Sequence, residues 1–296
     1  MYERIVVPLD TSNLAEIPLP YIEEITTKFG SEIILITVSE SNANDIVHRH
    51  RAYLERMVKK IQNHLKDYGM KDEVNISTKT LVGEPASQIL HFTEENDVSL
   101  IAMSNRGSSG DGPWFLGNIA NKVLRATSKP LLLIRAPADI EAIKQQRLVK
   151  QILVPLDGSR EGEKAVPYVE ELAKSLDTKV TFFQVLELPI NVSGEFIDGA
   201  LQVAQKEIQK GKVSGITYLN NLEKRFNEKG IATASLVTSG SPADQIMHFA
   251  ENRDFDLVAI STHGRSGIGR WVFGSVTNKV LHTGDVPILV VRIDGT

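Results

Sequence analysis

The chain has 296 residues, of which 42% are hydrophobic and 24% are charged, and its sequence contains no cysteine. At roughly 150 residues per domain this length predicts two domains, and the composition excludes disordered, collagen-like and disulfide-stapled proteins. Without cysteine, thiol nucleophiles, thiolate zinc sites and iron–sulfur clusters are excluded as well. The net charge of −4 is shared evenly by the two halves, so we expect no nucleic-acid partner.

Short apolar strands alternate with helical patterns along the first half of the sequence. The predicted strands lie near 3–8, 33–39, 75–82, 99–104 and 131–135. The predicted helices lie near 14–29, 48–68, 85–96 and 117–127. The second half repeats this order, with strands near 150–155, 179–186, 231–238, 256–262 and 287–293. Such alternation predicts an α/β fold in which helices cover both faces of a parallel sheet.

The two halves are copies of one unit. Residues 3–12 read ERIVVPLDTS and residues 150–159 read KQILVPLDGS, with six of ten positions identical. Residues 104–124 and 261–281 share 11 of 21 positions. We therefore predict two tandem domains.

The predicted boundaries follow from this repeat. Domain 1 covers 1–136, a polar linker covers 137–149 and domain 2 covers 150–296. The second copy is ten residues longer, with the insertion around 187–215. We expect a surface loop there; shielding of the domain-2 site or contact with a partner is the alternative.

No membrane span or export signal is expected. The longest apolar run, 286–291, is far shorter than the about 20 residues of a membrane-spanning helix. The first residues run straight into a predicted strand without a basic segment, which favours a cytoplasmic location.

Polar residues cluster where the first and fourth strands of each copy end, and ligands bind at such ends in open α/β sheets. A glycine-rich loop follows the fourth strand and leads into a helix at Gly117-Asn118 or Gly274-Ser275. Glycines and a helix N-terminus suit an anion such as phosphate, and Ser275 could either cap that helix or bind the phosphate. A glycine-rich turn that only connects two elements is the alternative.

These motifs resemble the universal stress protein family, as a tandem two-domain member. The resemblance rests on Val-Pro-Leu-Asp-x-Ser after the first strand and on a Gly-x2-Gly-x9-Gly-(Ser/Thr) loop after the fourth, and it covers nearly the whole chain. It implies a five-stranded parallel sheet of order 3-2-1-4-5 in each copy, and binding of ATP, with Mg²⁺ as a further candidate ligand.

The resemblance also implies the residues that bind the nucleotide. In domain 2 they are Pro155, Asp157, Ser159, Val185, Ile260, Ser261, His263, Gly264, Gly274, Ser275, Val276 and Thr277. In domain 1 they are Pro8, Asp10, Val38, Met103, Ser104, Arg106, Gly107, Gly117 and Asn118. Among these, Asp157, Pro155 and Val185 are expected at the base, and the loop residues at the ribose and phosphates.

Domain 1 departs from the family pattern more than domain 2 does. It has Asn118 where serine or threonine is expected and Asp111 inside the loop, where a carboxylate repels phosphate unless a metal bridges the two. Arg106, as a candidate phosphate ligand, would instead favour phosphate binding in domain 1. In both copies a serine, Ser104 or Ser261, replaces the first motif glycine, which we expect to be tolerated. We expect domain 2 to be the better ATP site.

Dedicated catalysis is not expected. The sequence has no GxxxxGK[ST], HExxH, nucleophile elbow or kinase signature, and His263 is replaced by arginine in the first copy. We expect a nucleotide-dependent sensor in the stress response. The alternatives are an interaction protein that binds no nucleotide and a slow ATPase.

The last strand of each copy is strongly apolar and would be a liability at an exposed sheet edge. We predict that the two copies pair through these strands within one chain, and that two chains then form a homodimer.

Overall fold

The computed structural model describes residues 1–70, 74–107, 116–135, 148–187, 197–264 and 273–292, with 197–205 described by their backbone alone. The strands of domain 1 are β1 (Arg4–Pro8), β2 (Glu32–Ser39), β3 (Ile76–Val82), β4 (Leu100–Ser104) and β5 (Leu131–Ile134). Its helices are α1 (Leu19–Phe29), α2 (Asn44–Asp67), α3 (Pro85–Glu95) and α4 (Asn118–Ala126).

Domain 2 repeats this order of elements. Its strands are β6 (Gln151–Pro155), β7 (Lys179–Leu186), β8 (Thr233–Ser239), β9 (Leu257–Ser261) and β10 (Ile288–Val291). Its helices are α5 (Val166–Leu176), α6 (Ile197–Asn227), α7 (Pro242–Asn252) and α8 (Ser275–His282). In the described part of the chain, no helix combines the length and the apolar content that crossing a membrane requires.

All ten strands form one sheet, in the order β3-β2-β1-β4-β5-β10-β9-β6-β7-β8. Within each domain the strands are parallel and the order 3-2-1-4-5 is confirmed. The domains join through β5 and β10, which pair antiparallel with 288–290 opposite 131–133. The predicted pairing of the two copies is therefore confirmed, and it makes one ten-stranded sheet of two five-stranded ones.

Alternation along the strands divides the core between two layers. Ile5 and Val7 of β1 pack with residues of α1 and α2, and Val6 between them packs with residues of α3 and α4. Domain 2 divides its core in the same way, with α5 and α6 on one face of the sheet and α7 and α8 on the other. The strands are apolar on both faces because helices cover both, as expected for a parallel sheet.

Proline shortens the first predicted helix. Residues Asn13–Glu16 form a single 3-10 turn, and α1 begins only after Pro18. A proline has no N–H and restricts the residue before it, so the helix cannot run through from residue 14. The helix then ends at Gly30, whose φ of 64° is left-handed and whose N–H donates to the carbonyl of Thr26.

Hydrogen bonds join the residues at the start of domain 2, including the end of the predicted linker, to domain 1. Glu24 of α1 is buried, and its Oε2 accepts the backbone N–H groups of Leu148 and Val149 at 3.0 and 3.2 Å. Nearby, the Tyr2 hydroxyl donates to the carbonyl of Tyr168 at 2.9 Å. The rest of the predicted linker lies outside the described residues.

Candidate functional site

A cavity of about 530 Å³ lies in domain 2 at the edge of the sheet where the parallel strands end. The ends of β6, β7 and β9, the start of α8 and part of α6 form its wall. A volume between about 300 and 1,000 Å³ is typical of sites for small organic ligands. Its position is the one that open α/β sheets use for ligands.

Eleven of the twelve residues predicted for the domain-2 site line this one cavity. They are Pro155, Asp157, Val185, Ile260, Ser261, His263, Gly264, Gly274, Ser275, Val276 and Thr277. These residues come from four separate segments of the sequence, and the fold brings them together. The twelfth, Ser159, does not line the cavity, but it hydrogen-bonds to Asp157, which does.

Asp157 and Ser159 form a turn directly after β6. One carboxylate oxygen of Asp157, Oδ1, accepts the Ser159 backbone N–H at 3.0 Å and its hydroxyl at 2.6 Å. The Ser159 hydroxyl oxygen also accepts the N–H of Gly162 at 2.9 Å. The other carboxylate oxygen lies against Gly264, where a Cβ atom would come within 2.2 Å of it. Gly264 is therefore required for the close approach of these two segments.

The serine at the first motif position tightens the loop after β9. The Ser261 hydroxyl donates to the carbonyl of His263 at 2.7 Å, and the Thr277 hydroxyl of α8 donates to the carbonyl of Ser261 at 2.9 Å. A glycine could not make the first of these bonds. The replacement is tolerated because the hydroxyl is used inside the loop.

His263 presents a buried polar atom to the cavity wall. Its Nδ1 lies 3.1 Å from the Thr262 hydroxyl, and its Nε2 is buried with no hydrogen-bond partner among the described residues. Buried polar atoms usually have partners. The residue lines the cavity, while this ring nitrogen itself stays buried away from the open space of the cavity.

Helix α8 begins at the cavity without a side-chain cap. Its N-cap is Gly274, and the expected cap, Ser275, is instead the first helical residue. The Gly274 N–H donates to the carbonyl of Thr262 at 3.0 Å, which holds the helix start against the loop. The following N–H groups open a helix whose first three residues line the cavity. This end of α8 is suited to an anion.

The insertion of the second copy contributes to the cavity. Residues 188–196 lie outside the described residues, but residues 197–215 belong to α6, so the expectation of a surface loop is wrong for them. Three of them, Glu207, Ile208 and Gly211, line the cavity. Helix α6 has 31 residues against 24 in α2.

The sequence did not indicate the three α6 residues as part of the site, nor seven further residues that line the cavity. The seven are Leu156, Gly162, Phe183, Leu186, Glu187, Pro242 and Ile246. Leu156 and Leu186 adjoin predicted residues on the same strand ends, so proximity could have identified them. Pro242 and Ile246 belong to α7, whose approach to the cavity depends on helix packing and leaves no local sequence signal.

The domain-1 residues occupy the equivalent sheet edge. Pro8 ends β1, Val38 lies near the end of β2, and Met103 and Ser104 end β4. The Ser104 hydroxyl accepts the Arg106 backbone N–H at 3.2 Å.

The close approach of aspartate and glycine is repeated in domain 1. A Cβ atom at Gly107 would lie 2.0 Å from Oδ2 of Asp10, and Oδ1 of Asp10 accepts the backbone N–H and the hydroxyl of Ser12. Gly117 is the N-cap of α4 and Asn118 its first residue. The Asp111 carboxylate and both tryptophans lie outside the described residues.

The comparisons with known proteins agree with this geometry. A model of the universal stress protein family matches residues 1–135 and again residues 149–292. A universal stress protein of Methanocaldococcus jannaschii is 30% identical over 153 residues, which are 50% of this chain and 84% of that protein. A universal stress protein of Synechocystis is 22% identical over 319 residues, covering 98% of this chain and 100% of that protein.

Among solved structures, a universal stress protein from Archaeoglobus fulgidus matches with a TM-score of 0.68. The sequences are 18% identical, and the match covers 99% of both chains. At this identity the likeness establishes the fold of the full two-domain chain.

Proposed function

This chain belongs to the universal stress protein family, and from that premise we propose that it binds ATP in the domain-2 cavity and acts as a nucleotide-dependent regulatory protein. The observation that carries the proposal is that eleven residues implied by the resemblance come together in one cavity of nucleotide-binding size.

One part of the cavity wall suits the base of a nucleotide, and another part suits its phosphates. Val185, Phe183 and Ile208 supply apolar surface for a base, near the end of β7. Gly264 and the uncapped start of α8 supply N–H groups for phosphate oxygens. His263 lines the cavity beside Gly264, at the end of the site proposed for the ribose and phosphates. A bound Mg²⁺ would supply charge neutralisation at the phosphates.

We propose further that domain 2 binds ATP more tightly than domain 1. Its loop has no carboxylate in the sequence, whereas the domain-1 loop carries Asp111. Helix α6 contributes Glu207, Ile208 and Gly211 to the wall of the domain-2 cavity.

A regulatory role is favoured over catalysis. The carboxylate of Asp157 in the cavity wall already accepts two hydrogen bonds from Ser159, which favours a structural role for it over that of a catalytic base. Slow hydrolysis of bound ATP remains the secondary candidate, since a phosphate-binding site with a metal lowers that barrier.

Calorimetric titration of nucleotide-free protein with ATP and Mg²⁺ tests the proposal. We expect one tight site per chain, with a second, weaker site in domain 1. Two sites of equal affinity would contradict the preference for domain 2. No heat of binding from folded protein would contradict the function itself and leave the interaction protein as the account.

A further inference from the structure

Residues of domain 1 reach the phosphate-binding end of domain 2. The guanidinium carbon of Arg125, in the last turn of α4, lies 5.5 Å from the ring centroid of Phe273. Phe273 directly precedes Gly274, the N-cap of α8, and is itself buried. The Arg125 side chain is oriented by its Nε, which donates to Asn121 at 2.9 Å. This cation–π contact therefore places a domain-1 cation one residue away from the cavity wall.

The other end of α8 is also held by domain 1. Arg135, directly after β5, is 4% exposed, and its Nη2 donates to the carbonyl of Val280 at 2.9 Å. Burial lowers the pKa of Arg135 to about 10, against the opposing effect of the Asp285 and Glu251 carboxylates. Because the last carbonyls of a helix lack intrahelical partners, a cation there is favourable. Domain 1 thus contacts both ends of the segment from Phe273 to Val280.

The contact at the C-terminal end is reciprocal. Arg292, the counterpart of Arg135 in the repeat, donates from Nη1 to the carbonyls of Arg125 and Thr127 at 2.9 and 2.6 Å. Each domain therefore binds the end of a helix in the other. The bond from Arg292 also fixes the backbone of Arg125, the residue that reaches Phe273.

At the loop end, the counterparts of the two contacting residues differ. The counterpart of Arg125 is His282, whose Nδ1 lies 2.7 Å from the carbonyl of Asn278 in its own helix. The counterpart of Phe273 is Leu116, which has no aromatic ring. Among the described residues, the repeat has therefore kept the arginine pair at the helix ends but not this cation–π contact.

We propose that Arg125 is a positioning residue for the domain-2 site, so that this site is complete only when domain 1 is paired with it. The inference rests on the proposed function for the identity of the ligand. Phe273 and Gly274 are consecutive, so movement of the ring shifts the first N–H groups of α8. By linkage, a ligand that requires this helix start in turn favours the paired arrangement of the domains.

The test compares Arg125→Ala with Lys122→Ala in the full chain. Lys122 lies on the same helix, but it pairs with Glu84 inside domain 1 at 2.9 Å, so it is a matched control. The two measurements are hydrogen exchange of the amides of α8 without ligand, and the Kd for ATP at the tighter site. A third variant, Arg125→Lys, keeps a cation that can reach Phe273.

We expect Arg125→Ala to accelerate exchange of the Gly274 and Asn278 amides, which donate to the carbonyls of Thr262 and Gly274 at the start of α8. It should also weaken ATP binding by about threefold to tenfold, the range that a partly buried cation–π contact supports. Lys122→Ala should change neither quantity, and Arg125→Lys should recover most of the affinity. Unchanged exchange, or faster exchange with unchanged affinity, would overturn the inference. Absence of ATP binding in the wild type would overturn the proposed function, and exchange in α8 would then decide the positioning role alone.

Discussion

Asp157 illustrates how one side chain can serve both the fold and the site. The resemblance implies a contact with the base, and the residue does line the cavity. One of its oxygens is nevertheless engaged by Ser159, and the other lies against Gly264. The carboxylate therefore fixes the distance between the end of β6 and the loop after β9, whatever else it binds.

Glu23 is a buried carboxyl far from the site whose titration can be predicted. It is 2% exposed, and its oxygens lie 3.2 and 3.3 Å from Nδ1 of His64. Burial raises the pKa of Glu23 above its ordinary value of 4.5, and His64 and Lys60 oppose that rise only in part. A raised pKa in the folded state means that the stability contributed by this group is complete below pH 4.5 and is lost as the pH rises through the folded value.

We expect Glu23→Gln to remove this pH dependence. Relative to the wild type, the variant should gain free energy of unfolding as the pH rises from 4.5 towards 7, by at most about 1.4 kcal/mol for each unit of pKa shift. Urea unfolding at several pH values measures the difference. The exposed Glu3→Gln is a suitable control. A difference between variant and wild type that stays constant with pH would contradict the assignment.

Among the elements, the first half of α6 is the part that could not be predicted from the sequence. The strands and most helices could be predicted because their apolar periodicity is local. The insertion was expected to be a loop, yet much of it is helix with a role in the cavity wall. Its helical pattern is weakened by Gly211 and Gly215, which disfavour a helix by about 1 kcal/mol each. The reason for a glycine at each position is the close packing of this helix against a strand, which the sequence alone does not reveal.

The two glycines allow α6 to lie close to β7. A Cβ atom at Gly211 would be 3.2 Å from Cδ1 of Leu186, and one at Gly215 would be 2.4 Å from Oε1 of Gln184. Gln184 is buried, so its side chain has little room to withdraw. The close approach places Glu207 and Ile208, one to two turns earlier, at the cavity.

A double-mutant cycle tests this packing. In the wild type, Gly215→Ala should be neutral or destabilising, because the clash with Gln184 offsets the better helix propensity of alanine. In a Gln184→Ala background, the same change should stabilise the protein by about 1 kcal/mol. Urea unfolding of the four proteins gives a coupling energy, expected between about 0.5 and 3 kcal/mol. Additive effects would show that the helix does not approach the strand so closely.

At the level of the whole molecule, the pairing of the domains follows from the need to cover two apolar strands. Strands β5 and β10 are fully buried, and each covers the edge that the other would expose. The repeat and the apolar last strands made this predictable. The arginines at the helix ends could not be predicted, since Arg135 and Val280 meet only through the paired domains. The homodimer of two chains stays a prediction, which sedimentation can test.

Domain 2 is proposed to hold the better nucleotide site, and the repeat supplies a matched pair of variants that test this preference. Gly264→Ala would bring a Cβ atom within 2.2 Å of Asp157, and Gly107→Ala would bring one within 2.0 Å of Asp10. The strain is therefore comparable, and only the domain differs. Overpacking of this kind costs about 1 to 3 kcal/mol of folding free energy. Because it displaces the loop proposed to bind phosphate, it should also weaken binding.

The most direct measurement is calorimetric titration of both variants with ATP and Mg²⁺, after thermal unfolding has shown that each is folded. We expect Gly264→Ala to weaken the tight site about tenfold or more, and Gly107→Ala to leave its affinity within about twofold of the wild type. Equal losses in the two variants, or a loss confined to Gly107→Ala, would contradict the account.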